Sequence, residues 1–433
     1  MDRRRFLQSA ALAGATLVVP RAAAFAAAPA GAPQTGFEKS GGARWTTHDE
    51  ELAFLAAVAR GSRRVRSETI GRTEQGRPLQ LVSVGARDTR RPTVLLIGSQ
   101  HGNEPAGRET ALALLRDLAF TTDPVLVRQL AQQSVLIVPS ANPDGRQANT
   151  RENSAGVDIN RDHLALTQPE SRAIATVLRD RGPDLVLDLH EYGPSVPVLY
   201  DDEVLYLWPR NLNVDQAVHD LSKELAEDFI AAGARAAGFT ADEYGLSKVG
   251  PLQVTQTAGD EDEGICRNAV GLRHSLGILI ESAVSMDVTN GPGELTSPST
   301  VNLRRVASQT QVTRDMLRFL REKGGVVRAA SEGAAARKAA EGKAGSMPVF
   351  FGGADNDPPE AAAIVDPPPL SYSLTPAQFR EVADVLALHG VRTVRSGSAI
   401  GVSMSQAAEP VIPLLLDARG RRHIVEGTPL PGS

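Results

Sequence analysis

Residues 93–104 read Thr93-Val94-Leu95-Leu96-Ile97-Gly98-Ser99-Gln100-His101-Gly102-Asn103-Glu104. The unbroken aliphatic run at its start is the pattern of a strand buried on both faces. It stops at a glycine, and helical spacing follows over 105–119. A buried strand that leads straight into a helix is the repeating unit of an α/β fold. Three more aliphatic runs, over 134–139, 184–189 and 275–281, repeat it. Helical patterns fall between and after them, over 168–181 (stopped by Gly182-Pro183), 214–237 and 303–323, the last ending at Gly324. Upstream, 65–73 and 79–85 flank Glu74-Gln75-Gly76-Arg77-Pro78 and read as a hairpin. Thr47 precedes a further helix as its N-cap. The expected architecture is an α/β domain over 45–325, its largely parallel sheet covered by helices on both faces.

Outside that domain the composition shifts. Residues 27–44, rich in Ala, Gly and Pro, read as a flexible leader, and 326–345, rich in Ala, Lys, Glu and Gly, as a linker. Residues 346–433 read as a small α+β extension. There Thr375-Pro376-Ala377-Gln378 forms a capping box ahead of the stripe Phe379, Val382, Val385, Leu386 and Leu388, and short strands follow over 391–425. Residues 1–26 read as an export signal. Arg3-Arg4-Arg5-Phe6-Leu7 leads a short apolar run over 10–19 and the small-x-small site Ala24-Phe25-Ala26. Its arginine pair points to the twin-arginine translocation machinery, which exports folded proteins to the periplasm or the exterior. The apolar run falls short of the ~20 residues a span needs, so no membrane span is expected in the mature protein.

The chain has 433 residues, 42% hydrophobic and 22% charged, which excludes wholesale disorder and fibrous repeats. A net charge of −5 without a basic block argues against a nucleic-acid partner. The single cysteine, Cys266, excludes an intrachain disulfide and a thiolate-built zinc site. Any metal must therefore be held by His and carboxylates. Nothing in the sequence fixes the oligomeric state.

Such residues stand where an α/β sheet places its sites, at the carboxyl ends of core strands. The first strand leads into His101 and Glu104, another into Asp188-Leu189-His190-Glu191, and the last ends in Glu281. Two His and one Glu leave a coordination position open for water, the pattern of a catalytic zinc ion. Glu281 supplies the general base that such a water needs. Between these strands lie Asn142-Pro143-Asp144-Gly145, read as a turn, then Arg151 and Asn160-Arg161. Arg151 can stabilise an oxyanion, and Asn160 with the forked Arg161 can grip a carboxylate. His48, His163, His219, His274, His389 and His423 have no such partners and read as surface or structural. Glu191 reads as a support for the ligands or part of the pocket rim.

In order, His101-x-x-Glu104, Asn142-Pro143-Asp144-Gly145, Arg151, Asn160-Arg161, His190 and Glu281 resemble the motifs of the carboxypeptidase A-like zinc metallocarboxypeptidases, the funnelins. The resemblance covers about residues 50–320. It implies a three-layer α/β/α sandwich with a mixed eight-stranded sheet, one zinc ion and a peptide substrate, in a bacterial member of the family. It also implies roles: His101, Glu104 and His190 as zinc ligands, Glu281 as general base and later proton donor, Arg151 as carbonyl-polarising group, and Asn160-Arg161 as clamp on the substrate's C-terminal carboxylate.

Three departures stand out. Asp162 follows the clamp where the family has Asn, and such a carboxylate would orient Arg161 or weaken its grip. No tyrosine occurs over 257–276, where the family carries its mobile one; Tyr244 is the nearest upstream. Asp260-Glu261-Asp262-Glu263 reads as a solvated loop. Arg267, and less so Arg273, is the candidate to select an acidic side chain, with Cys266 as a possible pocket wall. Two other readings compete: a zinc amidohydrolase of the same fold acting on N-acyl amino acids or cell-wall peptides, and a non-catalytic binding module. A serine hydrolase is disfavoured because no Gly-x-Ser-x-Gly occurs.

Overall fold

The computed structural model describes residues 31–86, 90–193, 202–249, 253–256, 260–285 and 297–431. The expected export signal, 1–26, lies outside them. Eight strands form the main sheet: β1 Val65–Arg72, β2 Pro78–Gly85, β3 Thr93–Gly98, β4 Ser134–Val138, β5 Leu185–Tyr192, β6 Val204–Leu207, β7 Ala241–Glu243 and β8 Leu276–Ala283. Their spatial order is β1-β2-β4-β3-β5-β8-β6-β7. The centre, β4-β3-β5-β8, is parallel, while β1, β2 and β6 join antiparallel. The sheet is therefore mixed, as the resemblance implied.

Every residue of β3, β4, β5 and β8 is buried. Side-chain alternation sends them to two faces. Val94, Leu96, Leu187 and Ile280 pack with the helices Ala106–Phe120 and Pro298–Ala344 and with a helical stretch over 216–236. Leu95, Ile97 and Val186 pack with Pro169–Arg181 and Cys266–Gly271 on the opposite side. This is the three-layer arrangement.

Two boundaries differ from expectation. The helix expected to stop at Gly324 runs from Pro298 to Ala344, so 326–345 is helix and not linker. Two of its glycines are contact points with other parts of the chain. A Cβ on Gly324 would lie 3.2 Å from the Gln133 amide nitrogen, and one on Gly342 only 2.2 Å from the Met404 carbonyl. Each helical glycine costs about 1 kcal/mol, and the buried Val327 and Ala334 between them offset this. The true stop is Gly345, left-handed at φ 59°. Within the expected leader, Thr35 and Glu38 form a capping box and Phe37 stacks on Trp45 at 5.0 Å, so this part is packed and not flexible.

The C-terminal region carries a four-stranded antiparallel sheet in the order Val394–Ser396, Ala399–Ser403, Ser371–Leu374, Thr428–Leu430, beside the helix Pro376–Leu388. Its Leu414, Leu415, Leu416 and Val425 belong to the same apolar cluster as Val312 and Met316 of the long helix. No described helix is long and apolar enough to cross a membrane.

Candidate metal centre

β3, β5 and β8 are neighbours in the sheet, so their carboxyl ends converge. In the β5–β8 register His190 lies directly beside Glu281. His101 and Glu104 arrive from the loop after β3, which turns sharply at Ser99, itself left-handed at φ 50°. Gly102 allows the loop to close: a Cβ there would lie 1.9 Å from the Gly145 carbonyl carbon. Asn142-Pro143-Asp144-Gly145, on the other side of that contact, starts a helix and is not only a turn. Asn142 caps it through Gly145 N–H at 2.8 Å and donates to the Gln100 and Arg151 carbonyls.

His101, Glu104 and His190 are buried and offer ligand atoms within 4.8 Å of one another. The Nδ1 atoms of the two rings lie 3.1 Å apart and face the Glu104 carboxylate at 2.8 and 2.9 Å. Each ring's Nε2 faces a carboxylate instead, Asp158 at 3.1 Å for His101 and Asp188 at 2.9 Å for His190. With a metal ion held on the Nδ1 side, those carboxylates would keep the ring protons at Nε2. Burial opposes charge on either ring, yet Glu104 and Asp158 raise His101, and Asp188 and Glu104 raise His190 well above the usual histidine range. Glu104, despite burial, is held down at about 2 by the two histidines. The pocket thus calls for positive charge. A nitrogen–nitrogen–carboxylate donor set with a sealed back suits a zinc ion.

Glu281 is buried and no ligand in this set. Its Oε2 has no hydrogen-bond partner among the described residues. Burial, then the charge of Glu104, pushes its carboxyl up to about 8 against the pull of His190, His101 and Arg151. Arg151 is held by Asp158 at 3.0 and 2.7 Å, with Nη1 turned toward His101 at 3.2 Å. Asn160 Nδ2 sits 3.0 Å from His190 Nε2, and its Oδ1 accepts from Cys266 N–H at 2.8 Å. Arg161 is part-exposed and donates to the Asn160 carbonyl at 2.8 Å. The structure therefore gathers His101, Glu104, His190, Glu281, Arg151, Asn160 and Arg161 around one centre.

Other expectations are corrected. Asp162 neither orients nor competes with Arg161. Its carboxylate accepts from Thr167 N–H and hydroxyl, Gln168 N–H and the Ser171 hydroxyl, which organises the next helix start. The acidic stretch is not a solvated loop: Asp260, Asp262 and Glu263 are all buried. Arg267 is 2% exposed and its Nη2 donates to the Asp260 carbonyl. Arg273 faces the Leu388 and Ala175 carbonyls, so it reads as structural. Glu191 supports the loop from behind, accepting from Ala106 N–H and pairing with Arg305.

A chain of buried polar groups behind His190 was not singled out from sequence. Asp188 accepts from Gln100 at 2.8 Å, and His163 Nε2 meets Gln100 Oε1 at 2.6 Å. Burial pushes His163 down to about 4, so its neutral ring donates there. The signal for Asp188 was present: it lies two residues before His190 and so shares its strand face. Asp158 carried a weaker signal, its place just before Asn160-Arg161.

A buried two-histidine, one-carboxylate centre at the carboxyl ends of central strands defines a site for a single catalytic metal ion. Residues 51–256 match the family model for zinc carboxypeptidase. Carboxypeptidase 2 of Trichophyton rubrum is 31% identical over 261 residues, covering 56% of this chain and 48% of its own. Carboxypeptidase E of Caenorhabditis elegans is 40% identical over 112 residues, 22% of this chain and 24% of its own. Among solved structures, the metallo-carboxypeptidase from Burkholderia cenocepacia aligns with TM-score 0.47 and 23% identity, over 63% of this chain and 69% of that one. This chain spans about half the length of the Trichophyton relatives it matches. The matched stretch, 51–256, holds His101, Glu104, Arg151, Asn160, Arg161 and His190.

Proposed function

We propose that the protein is a zinc carboxypeptidase that hydrolyses the C-terminal peptide bond of peptides. One observation carries this reading: Glu281, whose Oε2 has no hydrogen-bond partner among the described residues, lies beside the His101–Glu104–His190 cradle, in register with His190. A zinc ion held by those three residues would supply Lewis acidity and ease the deprotonation of water. Glu281 Oε2 accepts the proton of the attacking water and passes it to the departing amine. Arg151, aimed by Asp158, donates to the oxyanion. Asn160 and Arg161 hold the substrate's terminal carboxylate, Arg161 by its forked donors.

A panel of peptides with free or amidated C-termini, ending in acidic or neutral residues, tests the substrate. The free acids are expected to be cleaved and the amides spared. Equal cleavage of both would move the activity to an amidohydrolase acting on acylated or cell-wall substrates.

We further propose export through the twin-arginine machinery to the periplasm or exterior of a bacterium. Support comes from Arg4-Arg5-Phe6-Leu7 and from a lone cysteine, Cys266, buried and unbridged, as suits a chain that folds before export. Replacing both Arg4 and Arg5 by Lys is expected to retain the protein in the cytoplasm, read by cell fractionation. Unchanged export would exclude the route.

A further inference from the structure

The C-terminal region reaches back to the centre at one point. The loop 417–427 is hung on buried Leu415 and Leu416, whose carbonyls accept from Ile424 N–H at 2.9 Å and Gly427 N–H at 2.8 Å. Two consecutive arginines leave this loop toward the buried acidic strap. Arg421 pairs with Glu261. Arg422 grips Asp262 with both arms of its fork, Nε to Oδ1 at 2.8 Å and Nη2 to Oδ2 at 2.7 Å.

The strap in turn backs the residues assigned to the substrate carboxylate. The Gly264 carbonyl accepts from His163 N–H at 3.1 Å, and Cys266 N–H donates to Asn160 Oδ1 at 2.8 Å. A Cβ on Gly264 would lie 2.4 Å from the Arg161 carbonyl and 2.5 Å from Arg422 Nε. The Arg161 carbonyl and the Arg422 guanidinium therefore meet at the same glycine, whose N–H donates to Asp262 Oδ1 at 2.8 Å. Burial would raise the Asp262 carboxyl, but Arg422, helped by Arg161, holds it below the ordinary range.

Resting on the carboxypeptidase reading above, we propose that Arg422 is a positioning residue: by neutralising Asp262 it keeps Arg161 available for the substrate's C-terminal carboxylate. A buried carboxylate that loses its partner is strongly disfavoured. With Arg422 gone, Arg161 is the cation at hand, and its fork suits a carboxylate of the protein as well as one of the substrate. Asp262 would then compete with the substrate for Arg161. This gives the C-terminal region, which lies beyond the family match over 51–256, a part in substrate selection.

The test is calorimetric binding of a dipeptide with a free C-terminus and of its amide, alongside KM and kcat for a free-acid substrate. The full-length protein is expected to prefer the free acid. Arg422→Ala should lose at least ~10-fold of that preference, with KM raised and kcat within about twofold of the native value. Arg422→Ala with Asp262→Asn should restore the preference, because the competing charge is gone. Asp262→Asn alone should keep it, and this variant carries the test if Arg422→Ala fails to fold. An Arg422→Ala protein that still discriminates, a double variant that does not recover, or an Asp262→Asn protein that loses discrimination would each overturn the proposal. A native protein that binds acid and amide alike would remove the underlying carboxypeptidase reading as well.

Discussion

Glu281→Gln is expected to lower turnover by about 10³-fold or more, while the protein still binds its metal ion. Glutamine has nearly the same shape, so the packing around β8 is preserved. It cannot accept a proton, which is the one property the reaction asks of this side chain. Glu281 stands apart from the three-ligand set, so the His101–Glu104–His190 cradle survives the change. Among the described residues Oε2 has no hydrogen-bond partner whose loss would unfold the site. Steady-state kinetics with elemental analysis of the same preparation checks both halves. Full activity would remove Glu281 as the base, and loss of metal would make it a ligand.

His190→Ala is expected to abolish metal binding and with it all turnover. The residue is buried in β5 and supplies one of the two nitrogens of the three-residue set found among the described residues. Alanine removes one ligand and leaves Glu104 with His101 and Arg151, and Asp188 with Gln100, so affinity is lost from the missing ligand and the weakened support. Asp188→Asn gives a graded comparison. It keeps the ligands but weakens the acceptor that fixes the His190 tautomer, and affinity is expected to fall about 10–100-fold. A chelator-buffered zinc titration reads both variants. Native-like affinity in Asp188→Asn would mean that this carboxylate does not orient the ring.

The central sheet and the centre were legible because both depend on local pattern. Aliphatic runs mark buried strands, and the sites of an α/β fold sit at their carboxyl ends. His101, Glu104, His190 and Glu281 could be picked out by those two rules. What escaped depends on partners far along the chain. Gly324 looks like a helix stop until Gln133 is placed against it. The run Asp260–Glu263 looks solvated until Arg421 and Arg422, some 160 residues later, cover it. Asp162 sits next to Arg161 in sequence, but its acceptors are used up by residues 167–171. In each case a local rule was outweighed by a tertiary contact that no spacing encodes.

The proposed activity is metal-dependent cleavage of a peptide's C-terminal residue. It is tested most directly by mass spectrometry of a free-acid peptide incubated with the purified protein, before and after chelation and after zinc is returned. The expected result is loss of a single residue from the C-terminus, halted by the chelator and restored by zinc. An intact peptide from zinc-loaded protein, or trimming that persists after the metal is stripped, would contradict it.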